Sequence, residues 1–346
     1  MDTRARYAAY ADRIAPVSPS YAAWARSVDD DLVALLDQVP EQQRQPELLF
    51  AVARRLGADP SDPGALRAVG REARPALLTA LAAATVQAND PRRLAPVVPL
   101  FAALAATVAG PLGLVDAGAA AGLCSIPDRV TLDYRVRPAE PETGRNERSG
   151  ARWPIVRMHT APAEPSLRLT ADVSGEVPAP AAHPIRIAAR VALDPNPIDP
   201  AEPHAFDRLV EAVPPEATDR TALMCEAARA TAAVPPVRIR GTLPGDLDRA
   251  LDALPDHVTP VVLTTGTLVY VPGADRQRVV DRLRDRGVHW IALERTGILS
   301  GVAATLPADL DASDPDAFAT ASLDGAAVAV SDPFGVRIRW LRDPNL

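Results

Sequence analysis

The residues whose types and spacing could do chemistry begin with Asp116-Ala117-Gly118-Ala119-Ala120-Ala121-Gly122, directly after the apolar run Leu112 to Val115. If that run is a buried strand, Gly118 lets the backbone turn tightly. Gly122 would then let a following helix approach closely, its N-terminus facing a ligand. A simple packing turn in Ala/Gly-rich sequence would use the same residues.

The spacing bears on the ligand. A dinucleotide fingerprint wants G-x-G-x-x-G with a pyrophosphate against the helix; here the two glycines are four apart and an acid stands two before the first. That acid would repel a pyrophosphate and suit the ammonium of a methionine moiety, which favours S-adenosylmethionine over NAD. Asp194, followed by Pro195, ends the run Ile185 to Leu193. A carboxylate there could accept two hydrogen bonds from ribose hydroxyls, or else open a turn with Pro195 and Asn196. Gly241, Thr242 and Asp246 follow a third strand pattern and could reach an adenine edge, although turn formers in a loop read the same way. Thr264 and Thr265, with Tyr270 shortly after, offer hydroxyls near the end of a fourth.

Around these residues the chain must supply positioning elements. From Thr3 to about Gly110 apolar residues recur at helical spacing and prolines punctuate them, predicting five or so helices and no sheet. From Leu112 the pattern becomes strand and helix in alternation: a helix after Gly118, an insertion of three strand-like runs over about 132–182, a strand to Asp194, further strands near 237, 259 and 289 with helices between, and a C-terminal antiparallel pair. An α/β fold follows, with a mostly parallel Rossmann-like sheet in residues 111–346 and an all-α cap in 1–110.

Composition narrows the function classes. The 346 residues carry a net charge of −7, which disfavours a large phosphate-binding surface and hence nucleic-acid partners. No lysine is present, so Schiff-base chemistry and a P-loop lysine are excluded. Two distant cysteines and five scattered histidines give no disulfide framework and no metal-ligand spacing. Neither a signal peptide nor an apolar stretch of about 20 residues is apparent, so the expectation is a cytoplasmic protein with no membrane span.

The segments LVDAGAAAGL, ARVALDPNPID and VVLTTGTLVYV, with VQANDPRR in the helical part, resemble a family of uncharacterised proteins from high-GC bacteria, and that family is similar to class I S-adenosylmethionine-dependent methyltransferases. The resemblance spans nearly the whole chain. It implies that Asp116, Gly118 and Gly122 bind the methionine end of the cofactor and that Asp194 binds its ribose, with Ala119 and Pro195 beside them as further cofactor-binding candidates. At three family positions this chain departs: Val86-Gln87-Ala88-Asn89-Asp90 keeps only the amide pair, and Thr264-Thr265 and Asp332-Pro333-Phe334-Gly335 replace runs that carry histidine.

Methyl transfer from a sulfonium needs alignment and exclusion of water more than a dedicated base when the acceptor is an acid. The expectation is therefore a methyltransferase acting on a small molecule or peptide, with Gln87, Asn89, Thr265 and Tyr270 facing the acceptor. Two alternatives remain open. One is a non-catalytic binding protein on a decayed methyltransferase fold, which side chains blocking the cleft near Gly118 would favour. The other is different S-adenosylmethionine chemistry, cyclisation or aminocarboxypropyl transfer.

Overall fold

The computed structural model describes residues 2–84, 89–138, 153–160, 167–180 and 184–344. The chain divides into two compact units, one of residues 1–88 and 201–225, the other of residues 89–200 and 226–346.

The first unit is built of short helices: α1 (Thr3–Ile14), α2 (Pro19–Arg26), α3 (Asp30–Leu36), α4 (Pro46–Arg55), α5 (Ala65–Glu72) and α6 (Arg74–Ala83). Their starts are written in the sequence. Asp2, Ser18 and Asp29 each accept a backbone N–H of the first turn, and Pro19 and Pro46 occupy first helical positions where no intrahelical donor is needed. The Asp29-Asp30-Asp31 run is thus a cap and an acidic first turn, favourable at the positive end of a helix. Tyr7, Tyr10, Tyr21, Trp24 and Phe50 bury together, with Tyr21 stacked on Trp24 and four ring pairs meeting Phe50 edge-on. The returning segment is tied in by Glu216, whose carboxylate accepts from Ser18 Oγ (2.6 Å) and the Ser20 amide (2.9 Å). It carries α8 (Pro203–Glu211) and the start of α9 (Thr218–Ala232). With α7 (Val98–Thr107) of the second unit, seven α-helices precede Gly110 among the described residues, shorter and more numerous than the periodicity predicts.

The second unit holds one sheet. Its strands are β1 (Leu112–Ala117), β2 (Val130–Val136), β3 (Ile155–His159), β4 (Leu167–Gly175), β5 (Ile187–Asp194), β6 (Val237–Arg240), β7 (Thr259–Thr265), β8 (His289–Arg295), β9 (Ala319–Leu323), β10 (Ala326–Ser331) and β11 (Arg337–Trp340). The order is β3-β2-β4-β11-β10-β9-β8-β7-β1-β5-β6. Strands β6, β5, β1, β7 and β8 run parallel; β9, β10 and β11 form an antiparallel meander; β4 and β2 resume parallel pairing, and β3 closes that side antiparallel. A mixed α/β protein with a large, mostly parallel sheet is what alternating strand and helix patterns require. The three strands of the expected insertion do not stand apart: they prolong the same sheet beyond β11.

Two local expectations fail. No helix follows β1; residues 120–124 form consecutive turns, succeeded by a 3-10 turn at Pro127–Arg129. Left-handed backbone at Gly118, Ala120 and Gly122 (φ 82°, 48° and 73°) breaks any helical run, an arrangement alanine propensity could not announce. The apolar stretch from Pro260 to Val271, which patterning alone reads as one strand, leaves the sheet at Thr265, because Gly266 (φ 69°) turns the chain into a 3-10 turn, Leu268–Tyr270. Helices α10 (Leu247–Leu251), α11 (Gly273–Asp285) and α12 (Ser300–Ala303) complete the unit, and apolar residues among them cover one face of the parallel strands.

Candidate functional site

The order of the parallel strands locates the site. Within the sheet β5 and then β6 lie on one side of β1, and β7 and β8 on the other; the chain builds β2 to β4, which pair beyond β11, between β1 and β5. Among the parallel strands the order β1, β5, β6 runs one way and β7, β8 the other, so it reverses between β1 and β7, and open α/β sheets bind ligands beyond the carboxyl ends of strands at such a point. Buried polar side chains gather there: Asn89, Asp90, Asp116, Ser125, Asp194, Thr264, Thr265 and Glu294.

The turn after β1 is held from four sides. Asp194 Oδ2 accepts the Ala120 amide (2.9 Å) and Oδ1 the Asn196 amide (2.7 Å), so one carboxylate ties the end of β5 to the turn. Asn89 Oδ1 accepts the Leu123 amide (2.8 Å). Thr231 Oγ1 donates to the Gly122 carbonyl (3.1 Å). Thr267 Oγ1 donates to the Ala117 carbonyl (2.8 Å), and a Cβ on Gly118 would collide with the Thr267 side chain. Glycine is required at 118 both by its positive φ and by this close approach.

Asp116 lies beneath the turn, 1% exposed, and accepts from Ser125 Oγ (2.7 Å). Burial raises its pKa to about 7 against the opposing pull of the Ser125 bond, and the nearby charge of Asp194 adds to the rise. Glu294, 3% exposed on β8, accepts the Thr267 amide on Oε1 (3.0 Å) and the Leu268 amide on Oε2 (3.1 Å). Burial lifts it also to about 7, while those two amides, the Thr264 hydroxyl and Arg93 favour its charged form. Arg93 donates to the Thr265 carbonyl (2.9 Å) and packs over Gly266. Arg92 forms a bidentate pair with Asp90 and lies over the Phe334 ring, joining the run 332–335 to the same edge. Two buried carboxyl groups poised near neutrality at a strand edge are groups able to exchange protons at physiological pH.

The predicted residues are brought together unequally. Asp116, Gly118, Ala119, Gly122, Asn89, Asp194 and Thr265 share this cluster. Gly241 joins it through its amide, which donates to the Asp194 carbonyl (3.0 Å). Thr242 and Asp246 instead close their own loop, Asp246 Oδ2 accepting the Thr242 amide (2.8 Å). Pro195 is exposed next to Asp194. Tyr270, expected on the sheet, sits in the 3-10 turn and is 60% exposed. Gln87 lies outside the described residues. Asp116 is under the turn, not open to a ligand's ammonium, because the turn folds back over the strand end where a helix was expected to lead away. Glu294, Ser125 and Arg93 were not predicted. The one signal for Glu294 is an acid that shares a strand face with Trp290 and Ala292, directly after the apolar run Trp290 to Leu293.

Among the described residues no helix is long and apolar enough to cross a membrane, and no group of three or more His, Cys, Asp or Glu could hold a metal ion. No curated protein and no solved structure matches the chain. Residues 4–340 match the family model described as an uncharacterized protein conserved in bacteria (DUF2332), and the chain belongs to that family.

Proposed function

We propose that the carboxyl edge of β1, β5 and β7 binds S-adenosylmethionine and that the protein is a transferase, methyl transfer to a small molecule or peptide being the leading reaction. The observation that carries the reading is the turn after β1, left-handed at 118, 120 and 122 and clasped by Asp194 at the point where strand order reverses. The amides of 118 and 119 donate to the Leu193 carbonyl and those of 120 and 123 to Asp194 and Asn89, so the turn offers a ligand a rigid, side-chain-poor backbone. The order of the five parallel strands, β6-β5-β1-β7-β8, supports the reading, since a Rossmann-like sheet of the kind class I methyltransferases use would place its parallel strands in that order. Asp194 would hold the ribose: each carboxylate oxygen is engaged by one amide and has a second lone pair for a hydroxyl. When bound, the sulfonium supplies an activated methyl group. The chain's part is then to hold the acceptor in line, with Asn89 and Thr265 nearest the turn, and to exclude water. Cyclisation or aminocarboxypropyl transfer would use the same binding residues.

A second reading is favoured by a specific contact. Thr267 occupies the space over Gly118, as expected of a non-catalytic ligand- or partner-binding protein on this scaffold. Isothermal titration calorimetry with S-adenosylmethionine and S-adenosylhomocysteine separates the two, with Asp194→Asn as the variant that keeps side-chain size. Micromolar binding, about −8 kcal/mol, weakened at least tenfold in Asp194→Asn, upholds the cofactor assignment. No heat with either ligand leaves the non-catalytic reading in its place.

A further inference from the structure

We propose that Glu294 is the positioning residue of this site: its ionised carboxylate fixes Thr267 and Leu268, and through Thr267 the Gly118 turn, in the ligand-binding arrangement. The inference rests on the reading above and adds a control that reading does not contain.

The linkage is continuous. Glu294 spends one oxygen on each of two consecutive amides just past Gly266, and the first of these residues reaches across to the Ala117 carbonyl with its hydroxyl. A carboxylate accepts strongly on both oxygens at once. Protonation turns one oxygen into a hydroxyl, a much weaker acceptor, and a glutamine turns an NH2 donor toward the second amide, so in either case one buried N–H loses most of its partner. Gly266, left-handed and lacking a side chain, is where the released segment would pivot.

The surroundings permit the change of charge. Facing Glu294 are Thr264 of β7, Arg93 from the segment before α7 and Thr320, its register partner on β9; Arg295 follows on its own strand. A small cavity beside the carboxylate is lined by Thr320, Ser322, Arg295 and the apolar Ile298, Leu299 and Val302. Ser322 Oγ is buried there with no hydrogen-bond partner. The neighbouring cation Arg93 and the two amides favour the ionised form, burial opposes it, and the balance falls near neutral pH.

If only the ionised form is competent, the apparent Kd for S-adenosylhomocysteine tightens roughly tenfold between pH 6 and pH 8, in proportion to the competent fraction. The test pairs calorimetry across that range with amide NMR shifts of Thr267 and Leu268, on the intact chain and on Glu294→Gln. Asp116→Asn identifies the share of the affinity profile that belongs to Asp116. Expected are Thr267 and Leu268 shifts that titrate together near pH 7 in the native chain and Asp116→Asn but not in Glu294→Gln. Glu294→Gln should also bind more weakly, with a flatter pH profile. Binding with unchanged affinity and profile in Glu294→Gln overturns this inference and leaves the cofactor assignment standing. Absence of binding at every pH overturns both, and amide shifts that do not titrate overturn the inference whatever the ligand does.

Discussion

Acids at two places on one sheet are treated in opposite ways. On the outer strands β2 to β4, Asp133 takes guanidinium partners from Arg157 (2.5 Å) and Arg168 (3.1 Å), and the Arg157 hydrogen bond foremost holds its carboxyl below the usual range. Where β1 and β8 end, Asp116 and Glu294 are buried with hydroxyl and amide partners, and both rise to about 7. The outer pairs are the ordinary solution for a charged strand near solvent, and such pairs contribute little. A buried carboxylate without a paired cation opposes folding and persists where the surrounding structure or a ligand compensates. The contrast points to the inner edge as the place where the fold gives up stability.

The largest expected effect comes from Gly118→Ala. Strained backbone and collision with Thr267 together should cost about 3 kcal/mol, read as a fall in Tm of roughly 6–12 °C. A fall of less than 2 °C would mean that the turn is not held against Thr267, and the contrast would lose its inner member.

Next is the dependence of stability on pH. Asp116 and Glu294 have folded pKa values raised from 3.8 and 4.5 to about 7. The folded state therefore binds their protons more tightly than the unfolded chain does. This contribution is fully present below about pH 4 and is lost as pH rises to about 7. Asp116→Asn should remove its share, on the order of 2–3 kcal/mol, leaving urea-unfolding stability flatter between pH 5 and pH 8 than in the native chain. An undiminished slope in the variant would show that burial of Asp116 has been overstated.

The smallest effect belongs to the outer strands. Asp133 has a lowered pKa, so its contribution exists above about pH 4 and disappears as pH falls through the folded value. Asp133→Asn should move Tm at pH 7 by only about a degree, since its guanidinium partners are half exposed. A shift as large as that of Gly118→Ala would erase the distinction between the two places.

Much of this was legible in the chain. Helix starts at Ser18-Pro19 and Asp29 follow from capping chemistry, which acts over three residues. The runs at Leu112, Ile187 and Thr259 follow from strand patterning, and Asp116 and Asp194 were found because an acid closing an apolar run is conspicuous. The turn after β1 was misread because alanine favours helix in isolation, whereas here bonds from Asp194, Asn89 and Thr231 impose left-handed backbone from outside the segment. Glu294 escaped notice because its partners, Thr267 and Leu268, lie 27 and 26 residues away.

By itself the sequence determined what local physics can determine: the helix or strand character of most segments, where many begin, and which acids end strands. Tertiary structure alone decided that β2 to β4 extend the main sheet, that 201–225 belongs with the N-terminal helices, and that Asp116 is covered while Asp194 clasps the turn. Those outcomes depend on contacts between residues distant in the chain, and pattern within a short window carries no information about partners that only folding brings near.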